Sequence, residues 1–125
     1  MEKWMIASDL HGSASHTRRL IQAFRQEQPR KLLLLGDLLY QGLRAGLEPE
    51  EKAETADLLN SVKDDLLCVR GNCDQPEDLA LLDFPVEEDY RLLVFGGYLV
   101  FATHGHRYGP GFPPPLSRVE ILLTG

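Results

Sequence analysis

The chain has 125 residues, 43% of them hydrophobic and 26% charged, which is enough apolar material for one packed domain and carries no signature of disorder. Nineteen acidic against thirteen basic residues give a net charge of −6, so the basic excess of a phosphate-tracking nucleic-acid binder is missing and no nucleic-acid partner is expected. No apolar run approaches the ~20 residues that span a bilayer, no export signal precedes the first elements, and Cys68 and Cys73 are the only cysteines. These features predict a cytoplasmic protein with two reduced thiols and no membrane partner.

In chain order, 3–8 (KWMIAS) and 32–35 (LLLL) are short apolar runs that stop abruptly at polar residues, the pattern of buried strands. Between them Leu20, Ile21 and Phe24 recur at helical spacing, with Ser13 or Ser15 available as N-cap and Pro29 as terminator. Acidic residues open a second helix over 50–62, and 66–69 follows as a third strand before Gly71. Alternation of strand and helix predicts a largely parallel sheet. After Gln75 the pattern changes. Segments 90–95 and 98–103 flank Gly96-Gly97, which predicts an antiparallel hairpin and the start of a second sheet. Three glycines and four prolines make 105–115 an irregular loop, and 119–123 reads as one more strand.

Residues able to bind a metal follow each confident strand: Asp9 and His11, then Asp37, then Asn72, then His104. The carboxyl edge of an α/β sheet is where strands deliver side chains into ligand sites. The spacing of two in Asp9-Leu10-His11 is expected to place both polar side chains on one side of an extended backbone. Taken singly, each Asp or Asn is a plausible turn former and each His a solvated one; the coincidence at four successive strand ends argues for a metal site. Carboxylate, amide and imidazole donors together suit divalent ions, and a carboxylate such as Asp37 can bridge two of them, the arrangement suited to phosphate ester hydrolysis. Cys68 reads as core, whereas Cys73 sits among the candidate ligands. The phosphate-loop, dinucleotide, serine-hydrolase and H-E-x-x-H zinc patterns are all missing.

Ser8-Asp9-Leu10-His11-Gly12, Gly36-Asp37, Arg70-Gly71-Asn72-Cys73-Asp74 and Thr103-His104-Gly105-His106 resemble, in order and spacing, the motifs of the calcineurin-like metallophosphoesterases, most closely the small bacterial YfcE-like phosphodiesterases. The resemblance implies an α/β (α+β) fold, the metallophosphoesterase αββα sandwich, with residues 1–125 forming the N-terminal two-thirds of the family domain. It implies two divalent metal ions, manganese first with zinc, iron or nickel as alternatives. Asp9 and His11 would hold one, Asp37 would bridge, and Asn72 and His104 would hold the other. Cys73 and His106 would be catalytic. Many relatives carry His where this chain has Cys73, and that His is thought to protonate the leaving group, so a thiol there favours esters with good leaving groups.

Around Tyr40-Gln41-Gly42-Leu43-Arg44 close relatives have a His-Gly-Pro-Arg run, which makes Arg44 the candidate substrate contact. The family continues into a G-H-x-H motif whose first Gly aligns with Gly125, so the resemblance leaves the domain incomplete at its C-terminus. The apolar edge near 119–123 is then expected to promote homo-oligomers. The function implied is metal-dependent hydrolysis of a small phosphodiester, impaired by truncation; the alternative is a non-catalytic binding module of the same fold or an inactive fragment.

Overall fold

The computed structural model describes residues 2–42, 48–87, 89–115 and 118–125. Strand β1 (Trp4–Ala7) leads into helix α1 (Ala14–Glu27), strand β2 (Lys31–Leu34), helix α2 (Pro49–Asn60), a single 3-10 turn (Lys63–Asp65) and strand β3 (Leu66–Cys68). These strands form one parallel sheet in the order β1-β2-β3, with Met5 opposite Leu32 and Leu34 opposite Cys68. Helix α1 starts where Ser13 Oγ accepts the His16 N–H, and it stops where Gln28 adopts a left-handed conformation just before Pro29. At the start of α2, Pro49 occupies the first turn and the Glu51 carboxylate accepts the Glu48 N–H at 3.0 Å.

Because side chains alternate along a strand, the leucine run over 32–35 serves two layers. Leu32 and Leu34 pack with Phe24, Ala56 and Leu59 beneath the helices. Leu33 and Leu35 point the other way, against Val69 and Ala102 of the second layer. That second sheet has the order β4-β5-β6, built from Tyr90–Phe95, Tyr98–Thr103 and Ile121–Thr124. The predicted hairpin forms as expected, since Gly96 and Gly97 both take positive φ in the two-residue turn. The last strand runs parallel to β5, with Phe101 opposite Leu122. A short helix α3 (Pro76–Leu79), absent from the sequence reading, fills the connection after Gln75.

The expected sandwich is therefore present: two sheets face to face, with α1 and α2 outside the first. Outside the second, among the described residues, the 105–115 loop lays Tyr108 edge-on against Phe101 and Tyr90. No described helix is long and apolar enough to cross a membrane.

Packing in this core sets the first testable outcome. Leu33 has no exposed surface, so Leu33→Ala is expected to cost about 2–5 kcal/mol in urea unfolding, whereas Val94→Ala at an exposed position of β4 should change stability by less than about 0.5 kcal/mol.

Candidate metal centre

Three loops leave the carboxyl ends of β1, β2 and β3, and they continue to pair after the strands have ended. The N–H groups of Asp9, His11 and Gly12 donate to the carbonyls of Gly36, Asp37 and Leu38 at 2.9, 3.0 and 2.8 Å. Asp9, His11 and Asp37 all have left-handed backbones, at φ 58°, 48° and 54°. Non-glycine residues adopt that region rarely and at a cost, with Asp and His among those that tolerate it best, so three successive cases mark a strained site. This corrects the expected reason for the Asp9-Leu10-His11 spacing: the backbone there is not extended. The convergence itself holds, because His11 Nε2 lies 3.4 Å from Asp9 Oδ1.

Asp74 holds the loops in place. Only 2% exposed, its carboxylate accepts the N–H groups of Asp37 (2.8 Å), Leu38 (2.9 Å) and Gly71 (2.7 Å). It thereby clamps the β2 loop to the β3 loop. Gly71 is needed at this junction, since a Cβ there would lie 2.2 Å from Asp37 Oδ1, and Cys73 N–H donates to that same oxygen at 2.9 Å. The second oxygen of Asp37 is left facing inward.

That oxygen, Oδ2, sits 3.5 Å from His11 Nε2 and 3.3 Å from His104 Nε2. Each imidazole has its other nitrogen on a main-chain carbonyl, His11 Nδ1 on Tyr40 O at 2.8 Å and His104 Nδ1 on Leu35 O at 2.7 Å. A carbonyl only accepts, so each Nδ1 carries a hydrogen, and each ring turns Nε2 toward a carboxylate. A cation between these atoms would be shared by the imidazole nitrogens and the carboxylate. Donor atoms on one ion at bonds of about 2.0–2.2 Å stand roughly 3–3.5 Å apart, and a backbone carbonyl on Nδ1 is the usual support of a metal-bound His. Atoms of Asp9, Asp37 and His104 also fall within 4.8 Å of one another. The residues present fit divalent cations, with Asp37 central to both histidines. Ser8 Oγ orients the remaining Asp9 oxygen, donating to Oδ2 at 2.5 Å.

Of the residues singled out in the sequence, Asp9, His11, Asp37 and His104 come together directly. Asn72 and His106 flank the cluster and line one cavity beside it, and the His106 ring is 5.5 Å from that of His104. Arg44 lies outside the described residues. Cys73 is half-buried, and burial, followed by the negative charge of Asp37, holds its thiol above the ordinary thiol range. Cys68 is core as expected, its thiol pushed up by burial. Asp74 had no distinctive sequence signal beyond membership of the 70–74 motif. Its function is to satisfy main-chain donors up to 37 positions away.

The chain is similar in sequence and in fold to known proteins. A model of the calcineurin-like phosphoesterase family matches residues 3–121. Phosphodiesterase YfcE of Escherichia coli strain K12 is 39% identical over 126 residues, covering all of this chain and 68% of the relative. The structure of YfcE, described as a phosphoesterase from E. coli, superposes with a TM-score of 0.83 at 39% identity, over 91% of this chain but only 63% of that one. The chain thus spans just under two thirds of that structural relative. An archaeal phosphodiesterase at 18% identity shares the fold with a TM-score of 0.59, over 83% of this chain and 59% of its own.

Two outcomes follow from the clamp and from the thiol. Asp74→Asn replaces an all-acceptor group by one with two donors, so it should cost about 1–3 kcal/mol in urea unfolding. In metal-free protein, alkylation of Cys73 by iodoacetamide at pH 8 should be slower than that of free cysteine and faster in Asp37→Asn, which removes a neighbouring negative charge. With native thiols raised above their ordinary value, their contribution to stability is complete below that value. It is lost as pH rises past it toward the native one.

Proposed function

The chain belongs to the calcineurin-like phosphoesterase family, and on that premise we propose that it is a metal-dependent phosphodiesterase acting on a small phosphodiester through two divalent ions. The observation that carries this reading is the pair of imidazoles whose Nε2 atoms both face one Asp37 oxygen. Asp9, His11 and Asp37 would hold one ion, and Asp37, His104 and Asn72 the other. The donor set of carboxylate, imidazole and amide suits manganese first and accepts zinc, iron or nickel. Divalent cations supply Lewis acidity toward phosphoryl oxygens and make water more acidic.

The chain's own residues define the rest of the chemistry. The Asp74 clamp fixes the Asp37 main chain and Cys73 N–H holds its Oδ1, so the cluster is organised before substrate arrives. Arg70 lines the cavity beside the centre, where its guanidinium can meet an anionic ester. Cys73 and His106 flank the reacting position, and a thiol held protonated is a weak acid toward a departing oxygen. Esters with acidic leaving groups, such as aryl diesters, are therefore the preferred class. Two unpaired thiols are in keeping with a cytoplasmic location.

Metal content is the direct check. Wild-type protein equilibrated with Mn²⁺ and desalted should retain up to two ions per chain, and Asp37→Asn should lose most of them. Equal stoichiometry in the two proteins would contradict the reading. In the metal-loaded protein, Cys73→His should raise turnover of alkyl diesters by roughly 10² or more while changing aryl diesters far less. An equal factor on both classes would remove Cys73 from the acid position.

A further inference from the structure

Beside the metal centre a cavity of about 290 Å³ is lined by Arg70, Gly71, Asn72, Asp89 and His106. It shares a wall with the cluster, because Gly71 abuts the Asp37 carboxylate and the His106 and His104 rings are neighbours. A phosphodiester seated on the cluster has two ester arms, and this cavity is where one of them can lodge. The lining decides which chemistry it takes. Among these five residues no side chain is aliphatic or aromatic hydrocarbon.

Arg70 is fixed by Nε donating to Asp74 O at 3.0 Å, so the clamp that orders the metal ligands also sets the direction of this guanidinium. Asp89 is ion-paired with Arg107, and both side chains are about half exposed. A carboxylate offers about four acceptor positions, which leaves capacity on Asp89 beyond that pair. Asn72 and His106 add an amide and an imidazole. Acceptors and donors in one lining suit hydroxyl groups, each of which both donates and accepts. An apolar arm would displace water from these groups and return no hydrogen bond.

We propose that this cavity is a specificity subsite which selects a hydroxyl-bearing ester arm, of polyol or sugar type, through hydrogen bonds to Asp89. The proposal rests on the phosphodiesterase reading above, and the test separates the two. Two mixed diesters share 4-nitrophenol as the departing arm and differ only in the other arm, 2,3-dihydroxypropyl or propyl. With Mn²⁺-loaded protein, kcat/KM should favour the dihydroxypropyl ester by roughly tenfold. Asp89→Asn should reduce that preference to within about twofold by lowering kcat/KM for the dihydroxypropyl ester more than for the propyl ester. Arg107→Gln removes the ion-pair partner but keeps the carboxylate, and should retain the preference within about threefold; its loss there too would show that loop packing rather than Asp89 is responsible.

A binding readout on metal-free protein is independent of turnover. Glycerol 3-phosphate should shift the amide resonances of Asn72, Asp89 and His106 in wild type and move them much less in Asp89→Asn, whereas propyl phosphate should not discriminate the two. Equal kcat/KM for the two esters in wild type, or a preference that survives Asp89→Asn, would overturn the subsite. Turnover of neither ester would instead overturn the phosphodiesterase reading, and the amide shifts would then decide the subsite alone.

Discussion

A buried carboxylate that accepts three main-chain N–H groups is the constraint on which the site depends. Asp74 binds the amides of Asp37, Leu38 and Gly71, and through them it joins loops that the sheet alone would leave to diverge beyond the ends of β2 and β3. Such charge-assisted bonds are stronger than neutral ones, and each also satisfies a donor that burial would otherwise leave without a partner. Its main-chain carbonyl takes Arg70 Nε, so one residue positions both a candidate metal ligand and a cation of the neighbouring cavity. Gly71 completes the joint, because any Cβ would collide with the Asp37 carboxylate.

Around that joint, local conformational cost and electrostatic cost are concentrated together. Three left-handed residues, Asp9, His11 and Asp37, and the crowding of the Asp9 and Asp37 carboxylates would each be unfavourable in isolation. The cross-loop hydrogen bonds from Asp9, His11 and Gly12 hold the backbone in place against this strain. A divalent cation held there would relieve the electrostatic part by bringing the two carboxylates into shared coordination. Binding should therefore stabilise the fold as well as enable the chemistry.

Much of this was legible in the sequence, for reasons that are local. The leucine run over 32–35 can only be buried on both sides, and Gly96-Gly97 between two apolar segments leaves little choice but a tight hairpin. Asp9, His11, Asp37 and His104 were marked by their recurrence at strand ends. Long-range geometry was not legible. Asp9 and His11 converge through left-handed turns, not through strand alternation, because loop-to-loop hydrogen bonds override the extended conformation. The importance of Asp74 depends on donors 36 and 37 positions away, and the parallel pairing of β6 with β5 depends on the path of the 105–115 loop. Asp89 carries no motif at all; only its meeting with Arg70 and His106 in one cavity gives it a role.

The central claim is that His11 and His104 are held by main-chain carbonyls with Nε2 aimed at a cation site beside Asp37. Two-bond nitrogen–proton correlation spectra of histidine, recorded on metal-free protein and through a titration with diamagnetic Zn²⁺, test it most directly. Both rings are expected to carry their hydrogen on Nδ1, and both Nε2 resonances should shift on binding while His16, on the surface of α1, stays unchanged. Rings protonated on Nε2 alone, or Nε2 resonances indifferent to Zn²⁺, would contradict the metal centre.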